Sequence, residues 1–441
     1  MTRTAKVVER VLLGTMLTVA CSLFAEKAEQ FYRQRADKVL NEVWNTVSRL
    51  HYDQNFSTKY NNVFKKYKAH ALSCRNDKAL ALVLNNMLRS IGQSHVLVLP
   101  PVGGAVSKAL AAAYKSTAPL SSTHTHKVPS GCRDLPADVG IRVALSSKKI
   151  LVTRVRPDSS AAKAGVKMGW ALEEVNGIKI KPEQKYYVGW PILVRSMLAG
   201  RPGTQVSLSM IDRGKSLRKI KVVRNANGAS WFKLGVMPRS FSTYQSELLK
   251  GNIGYIRFTA FFPEMISKCK KDVVGKFSKV KGLVIDMRGN IGGMALLPSW
   301  LASWVSKKVV SMGTLKLKGA KLTPKSYPQN GCYKGPLVVL IDRNSYSSAE
   351  IFSAAMQDGK AAKLFGTRTS GKCLPSSFMR LKSGFRLQTI MGDYLRPSGG
   401  EVERVGVKPD VKVQLNVESL CKGIDNVKEA AREYLVKLRK K

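Results

Sequence analysis

Apolar positions divide the chain into three stretches of different rhythm. Between residues 26 and 89 they recur every three or four positions, with Leu40, Val43, Trp44, Val47 and Leu50 on one face and Ala79, Leu82, Val83, Asn86 and Leu88 suggesting another. That spacing predicts amphipathic helices. From Asp138 to about residue 225 the runs are short and alternating: 138–143, 150–155 and 206–211, with Asn176-Gly177 as a tight hairpin turn and one helical segment near 192–198. From Trp231 onward, strand-like and helix-like runs alternate. Residues 254–258, 282–288, 336–342, 363–366 and 386–390 read as strands; 263–277, 296–305 and 351–358 read as helices. Alternation of this kind predicts an α/β core. The whole is therefore expected to be an α/β (α+β) multidomain protein. Its divisions are a leader at 1–25, a helical region at 26–101, a connector at 102–135, a β-rich domain at 136–225, a core at 230–423 and a basic helix at 424–441. The connector is rich in Ala, Ser, Thr and Pro.

The first 25 residues change the picture of where the chain works. Arg3, Lys6 and Arg10 precede an apolar run that closes with Cys21-Ser-Leu-Phe-Ala25. This is the layout of a secretory signal. The run falls short of the roughly 20 apolar residues of a membrane span, and cleavage near Ala25 is expected in preference to an uncleaved anchor. A lipid anchor at Cys21 is the weaker option, because Leu17 stands four residues before it. An exported, periplasmic or extracellular protein follows, with membrane association left open.

Charge adds a second constraint. A net charge of +45, spread over all regions, draws a protein toward anionic membranes, cell-wall polymers or acidic proteins. The basic residues are not interleaved with aromatics and no nucleic-acid module is recognisable, so no specific nucleic-acid partner is expected. A compositional bias without function accounts for the charge equally well. Six cysteines lie outside the leader (Cys74, Cys132, Cys269, Cys332, Cys373 and Cys421), a number compatible with disulfides in an oxidising compartment. None forms a CxxC pair, and His124 and His126 lack carboxylate or thiolate neighbours. Neither a metal nor another cofactor is expected.

The candidate chemistry lies at Ser345-Tyr346-Ser347-Ser348-Ala349-Glu350, between the apolar run 336–342 and a helix-like run. A serine at a strand-to-helix corner has free N–H groups and the positive end of a helix dipole beside it, which suits an acyl-transfer nucleophile. Plain helix capping explains such a serine far more often. Two further segments shift that balance: Leu283-Val-Ile-Asp286-Met-Arg288-Gly-Asn290-Ile-Gly292-Gly293 upstream, and Gly366-Thr-Arg-Thr369-Ser-Gly371-Lys372-Cys373 downstream.

In order and spacing, these three segments resemble the carboxyl-terminal processing, or tail-specific, proteases, a serine peptidase family with a Ser-Lys dyad. The resemblance covers nearly all of the chain beyond the leader, and implies a crotonase-like protease core with a helical N-terminal region and an inserted PDZ domain. It puts the nucleophile at Ser347, three residues before Glu350, and the general base at Lys372, 25 positions further on. It implies supporting roles for Glu350, Asp358 and Thr369, and an oxyanion hole from the Gly293 and Ser348 N–H groups. Ser345 and Ser348 are rival nucleophiles in chemistry, but Ser347 alone fits the register. His95, at the end of the helical region, is an alternative base.

The segment 136–225 resembles a PDZ domain, so Val139, Gly140, Ile141, Arg142 and Val143 are expected to carry an extended peptide as an added strand. Expected partners are protein substrates with exposed C-terminal tails. Departures from the family pattern are Gln93 and Trp170 where aspartates are usual, Tyr346 and Ser348 for alanines, Ser370 for an aromatic residue and Cys373 for a glycine. These favour an alternative reading, an inactive scaffold that binds tails. A lysine must also shed its proton to act as a base, which its unperturbed pKa of about 10.4 forbids near neutrality unless burial or nearby positive charge lowers it. Cys373 offers either a thiol nucleophile or a disulfide beside the site.

Overall fold

A computed structural model describes residues 3–101, 137–146, 148–180, 190–226, 229–236 and 240–438, with side chains from Glu26 onward except at 190–193. The connector, with His124 and His126, lies outside the described residues, as do the side chains of the leader. The chain divides into two compact units, one of residues 1–107 with 376–390, the other of residues 108–375 with 391–441.

In the first unit, helices α1 (Arg3–Leu50), α2 (Asn61–Leu72) and α3 (Asp77–Ser90) pack through Leu40, Val43, Trp44, Val47, Leu84 and Leu88. The Asn76 side chain accepts from the Ala79 N–H at 2.8 Å and starts α3. Strand β1 (Leu97–Leu99) pairs antiparallel with Arg386–Ile390, which pairs in turn with Ser376–Arg380. Residues 386–390, placed by their pattern with the α/β core, thus belong to a three-stranded sheet of the helical unit. No helix among the described residues is long and apolar enough to cross a membrane.

The second unit opens with a β-rich sheet. Strands β2 (Ile141–Ser146), β3 (Lys149–Val155), β4 (Ala171–Val175), β5 (Gln205–Ile211) and β6 (Leu217–Val223) lie in chain order, with β2 at one edge. Helix α4 (Trp190–Leu198) packs on this sheet, its Val194 and Leu198 in a core with Ile141, Val152 and Leu208.

The core of the unit is a six-stranded sheet of β7 (Tyr244–Leu249), β8 (Ile253–Phe258), β9 (Gly282–Asp286), β10 (Leu337–Ile341), β11 (Lys363–Gly366) and β12 (Val411–Lys412) in that order. The β7–β8 pair is antiparallel and the rest are parallel. Side chains alternate across the sheet, as strand geometry requires. Ile256, Leu283, Ile285 and Val339 face helices α5 (Pro263–Val274), α6 (Leu297–Val305) and α7 (Ser348–Asp358). Tyr255, Val284, Val338 and Leu340 face α8 (Asn426–Lys437) through Val427, Ala431 and Leu435. Burial on both faces explains why β9 and β10 read as unbroken apolar runs rather than alternating ones.

Candidate active site

Parallel strands leave their carboxyl ends as the natural place for a site, and here β9 and β10 both run into tight, heavily bonded turns. After β10, Asp342 accepts from the Asn344 N–H at 2.9 Å and from the Gly289 N–H at 3.1 Å, which joins the two strand ends. The Ser345 hydroxyl donates to the Met287 carbonyl at 2.9 Å. Asn290, fully buried, donates through Nδ2 to the Phe258 carbonyl and accepts through Oδ1 from the Gly292 N–H, both at 2.9 Å. Its carbonyl accepts from the Tyr346 N–H at 2.9 Å. Asn290 stands out in the sequence only as a polar residue in front of a glycine pair.

Ser347 follows with φ +52° and ψ −120°, a backbone conformation that a non-glycine residue adopts only when its surroundings force it. Helix α7 starts at the next residue. The force comes from Glu350, one turn on and fully buried. Its Oε2 accepts from the Ser347 N–H at 3.1 Å and the Lys372 N–H at 2.9 Å; Oε1 accepts from the Gly371 N–H at 2.7 Å and the Thr369 hydroxyl at 2.6 Å. The Ser347 N–H is shared with the Lys372 carbonyl at 2.9 Å. One carboxylate therefore clamps the corner to the segment 369–372, so Ser347 and Lys372 are backbone neighbours across 25 positions of sequence. Burial pushes Glu350 up to about 7, against the four donors that favour its charged form.

Thr369 completes the clamp, since its oxygen also accepts from the Val407 N–H at 2.7 Å. The Lys372 side chain is exposed, and its amine stands 5.5 Å from the centre of the Tyr346 ring.

Gly292 and Gly293 meet this corner from β9. A Cβ at Gly292 would lie 2.6 Å from Ser347 Cβ, and one at Gly293 (φ +151°) would lie 2.1 Å from the Phe261 carbonyl oxygen. Only glycine allows the approach. Phe261 bonds the peptides on either side of Gly293, donating to the Gly292 carbonyl at 2.8 Å and accepting from the Met294 N–H at 3.0 Å. The Gly293 carbonyl accepts from the Ser348 hydroxyl at 3.1 Å. Among the described residues, neither the Gly293 N–H nor the Ser348 N–H has a protein partner, the latter because it opens a helix.

The remaining sequence candidates lie elsewhere. Asp358 is at the far end of α7, about 15 Å along the axis, where Arg396 binds it at 2.6 and 2.9 Å. His95 belongs to the first unit, where its Nδ1 is 2.7 Å from the Ser94 hydroxyl. Cys373 is buried and its thiol lies 3.7 Å from the Ser347 carbonyl. Burial, with Glu350 and Glu403 beyond it, raises that thiol and keeps it protonated, which disfavours a thiolate nucleophile. No two of the described cysteines with resolved surroundings, Cys74, Cys269, Cys332, Cys373 and Cys421, are bonded to each other. Among the described residues no cluster of His, Cys, Asp or Glu is placed to hold a metal.

Of the peptide-binding candidates, Val139 and Ile141 are buried, and Gly140 (φ +85°) donates its N–H to Asp138 Oδ1 at 2.8 Å. Arg142 Nη1 donates to Asp138 Oδ2 at 3.1 Å, and Val143 follows on the edge strand β2.

Residues 252–413, which hold both the corner and the clamp, match the model of peptidase family S41. A probable CtpA-like serine protease of Staphylococcus haemolyticus is 26% identical over 280 residues, 62% of this chain and 52% of that protein. A chloroplastic C-terminal processing peptidase of Tetradesmus obliquus is 28% identical over 298 residues, 64% of this chain and 60% of that protein. The chain thus matches little more than half the length of these curated relatives. Among solved structures, the photosystem II D1 C-terminal processing protease aligns over 88% of this chain and 96% of its own, with a TM-score of 0.54 and 22% identity. Mature CPAF aligns over 93% and 97%, with a TM-score of 0.57 and 13% identity. These likenesses establish the fold, a mixed α/β multidomain architecture shared with these two solved structures. Within the matched residues, the serine corner is held by side chains that pattern reading passed over: Asn290, and Asp342 with its two amide donors.

Proposed function

We propose that the protein is an exported serine endopeptidase that takes unfolded or C-terminal peptide segments along β2 and cleaves them through an acyl-enzyme on Ser347. The observation that carries this reading is the Glu350 clamp, which makes Ser347 and Lys372 backbone neighbours. A serine hydroxyl needs an adjacent base, and Lys372 is the titratable side chain whose backbone the clamp holds there. A bound peptide covers the exposed amine, displaces it from the Tyr346 ring and strips its water, which favours the neutral amine that can accept the Ser347 proton. That proton then goes to the leaving amine, and water hydrolyses the ester. The Gly293 and Ser348 N–H groups receive the charge that develops on the scissile carbonyl oxygen. Glu350 and Thr369 hold the geometry, and Asp358 anchors the distal end of α7. No metal or cofactor takes part in this scheme.

Export rests on the layout of residues 1–25. The segment 136–225 serves as the PDZ domain, supported by the edge position of β2 beside α4. Attraction to an anionic surface rests on the charge of +45. Its substrates are proteins with exposed tails.

One observation favours a second reading, an inactive scaffold that binds tails: Lys372 is exposed and engaged with Tyr346 rather than buried. Incubation of the chain with unfolded casein separates the two. Peptide release that Ser347→Ala and Lys372→Ala each abolish supports the peptidase. Casein left intact by the unaltered chain, in reducing and oxidising buffer alike, leaves only the scaffold.

A further inference from the structure

Two basic regions of the second unit lie away from the Ser347 corner. One is a cavity of about 320 Å³ whose lining includes Arg142, Arg195, Arg257 and Arg288. Arg142, Arg257 and Arg288 each reach a carboxylate, and Arg195 reaches none among the described residues. The buried Arg257 Nε and Asn344 Oδ1 have no partner. Residues of β2 line this cavity, so it belongs with the peptide-binding strand already described. The other region is a ribbon at 309–327, in a stretch of chain without a single Asp or Glu between Asp286 and Asp342. Lys307, Lys308, Lys316, Lys318, Lys321 and Lys325 all fall in that stretch.

The ribbon is antiparallel along its length. At its base Val310 pairs with Ser326 and Ser311 with Lys325; the Met312 N–H then donates to the Pro324 carbonyl at 2.8 Å. Beyond that, Leu315, Lys316 and Leu317 pair with Leu322, Lys321 and Ala320, and Lys318 and Gly319 form the tip. Val310 and Ser326 are buried, so Ser311 and Lys325 face outward. Continued by one position, the register sets Val309 opposite Tyr327 on that same outer face. Lys316 and Lys321 stand directly opposite each other, an unfavourable pairing of like charges. The neighbouring strand Gly392–Leu395 brings one carboxylate, Asp393, opposite Lys316. Helix α6 is joined to the ribbon's base, where the Ser303 carbonyl accepts from the Gln329 N–H at 3.0 Å. Apolar side chains accompany the lysines: Trp300 on α6 and Val309, Leu322 and Tyr327 on the ribbon are between 48% and 63% exposed.

We propose that the ribbon 309–327, with Trp300 beside its base, is the surface by which the protein docks on an anionic phospholipid bilayer. Large exposed apolar side chains grouped in one place mark an interaction surface. A soluble polyanion would engage the lysines and leave Val309, Leu322 and Trp300 in water. An apolar protein partner would leave the lysines facing nothing. A bilayer interface satisfies both sets: anionic headgroups meet the ammonium groups, aliphatic side chains enter the acyl boundary, and Trp and Tyr rings sit where the two meet. Lysine suits this surface because its long stem lies along apolar material while its charge stays among headgroups. The proposal rests on the attraction to an anionic surface put forward above, to which it gives a place and a ligand chemistry. It does not depend on the chemistry at Ser347.

The test is co-sedimentation of the full chain with vesicles of phosphatidylcholine, with and without about one-third phosphatidylglycerol. The parent is expected to bind the anionic vesicles at least tenfold more tightly than the neutral ones. A variant with Lys316, Lys318, Lys321 and Lys325 all changed to Gln should lose at least tenfold of that binding. A control with exposed Lys163, Lys167, Lys219 and Lys221 changed to Gln has the same net charge and should stay within about threefold of the parent. Trp300→Ser with Tyr327→Ser should weaken vesicle binding at least fivefold and leave binding to soluble polyglutamate unchanged. If that variant loses its thermal transition, brominated phosphatidylglycerol serves instead: it should quench the parent's fluorescence more than that of Trp300→Phe. Equal losses in the two lysine variants would overturn the ribbon while leaving a general attraction to anionic surfaces. Vesicle binding that the apolar variant retains, or equal quenching of parent and Trp300→Phe, would show a site for a soluble polyanion and overturn the lipid assignment. A parent that ignores anionic vesicles would sink both the ribbon and the attraction, and leave the peptidase reading to the casein assay.

Discussion

The corner at Ser347 and the cavity at Arg195 lie in one compact unit and handle buried charge in opposite ways. At the corner a single carboxylate, Glu350, collects four donors and forces a serine into a strained backbone conformation. At the cavity, guanidinium groups outnumber the anions that reach them, and a buried donor and a buried acceptor are left over. The first arrangement is complete without a ligand and holds its geometry rigidly. The second is unfinished. Completed polar networks fix geometry, and partly satisfied ones carry a free-energy cost.

The contrast breaks most sharply at the corner. Ser347→Ala and Lys372→Ala are each expected to lower casein hydrolysis by at least about 10³-fold, with far-UV circular dichroism unchanged. Retained hydrolysis in either variant would show the corner to be a cap and nothing more.

Glu350→Gln should follow in size. An amide turns an NH₂ toward N–H donors and leaves at least one unsatisfied, a loss of about 2–3 kcal/mol. A fall of several degrees in Tm is expected, together with a drop in hydrolysis through disorder of the segment 369–372. Unchanged melting would mean that the clamp does not hold this segment.

The titration of Glu350 sharpens the comparison further. Its carboxyl lies near 7 in the folded chain, against an ordinary 4.5. The folded state therefore binds the proton more tightly, and stability falls as pH rises from about 4.5 to 7, by at most on the order of 3 kcal/mol. Above that window the loss is complete. The charged form, however, is the one that accepts all four donors, so hydrolysis should rise over the same window. Melting of the parent and of Glu350→Gln from pH 4.5 to 8 checks this: the difference between them should shrink or reverse as pH rises, and a flat difference would refute the shift.

Smallest should be Asp358→Asn. Its pairing with Arg396 is partly exposed and far along α7 from the serine, so about 1 kcal/mol of stability is expected to be lost. Hydrolysis should stay within about threefold. A large loss of activity would place Asp358 in the chemistry rather than at the helix end.

Much of this was legible in the residues. The apolar runs at 282–288 and 336–342 have no alternation because β9 and β10 are covered on both faces, and that is visible in one dimension. The Ser347–Glu350 spacing puts both residues on the first turn of one helix, which also follows from sequence alone. The placement of 386–390 was not legible. An apolar strand fits any sheet, and only its pairing with Leu97–Leu99 in the helical unit decides which. Nor was the state of Lys372: a role as base calls for burial or nearby positive charge, yet its side chain lies exposed over Tyr346. Pattern records what a residue is, and burial depends on what folds on top of it.

By itself, then, the sequence determined the order of strands and helices, the glycine pair that lets β9 approach the corner, and the acidic residue one turn into α7. These depend on periodicity and on covalent neighbours within a few positions. Only the tertiary structure decided that the Glu350 carboxylate would reach the amides of both Ser347 and Lys372. It also decided that Arg195, from α4, and Arg257, from β8, would line one cavity, Arg257 paired with Asp286 and Arg195 with no carboxylate among the described residues. Charge compensation is a property of groups that are close in space, and closeness across such separations is set by how sheets and helices pack.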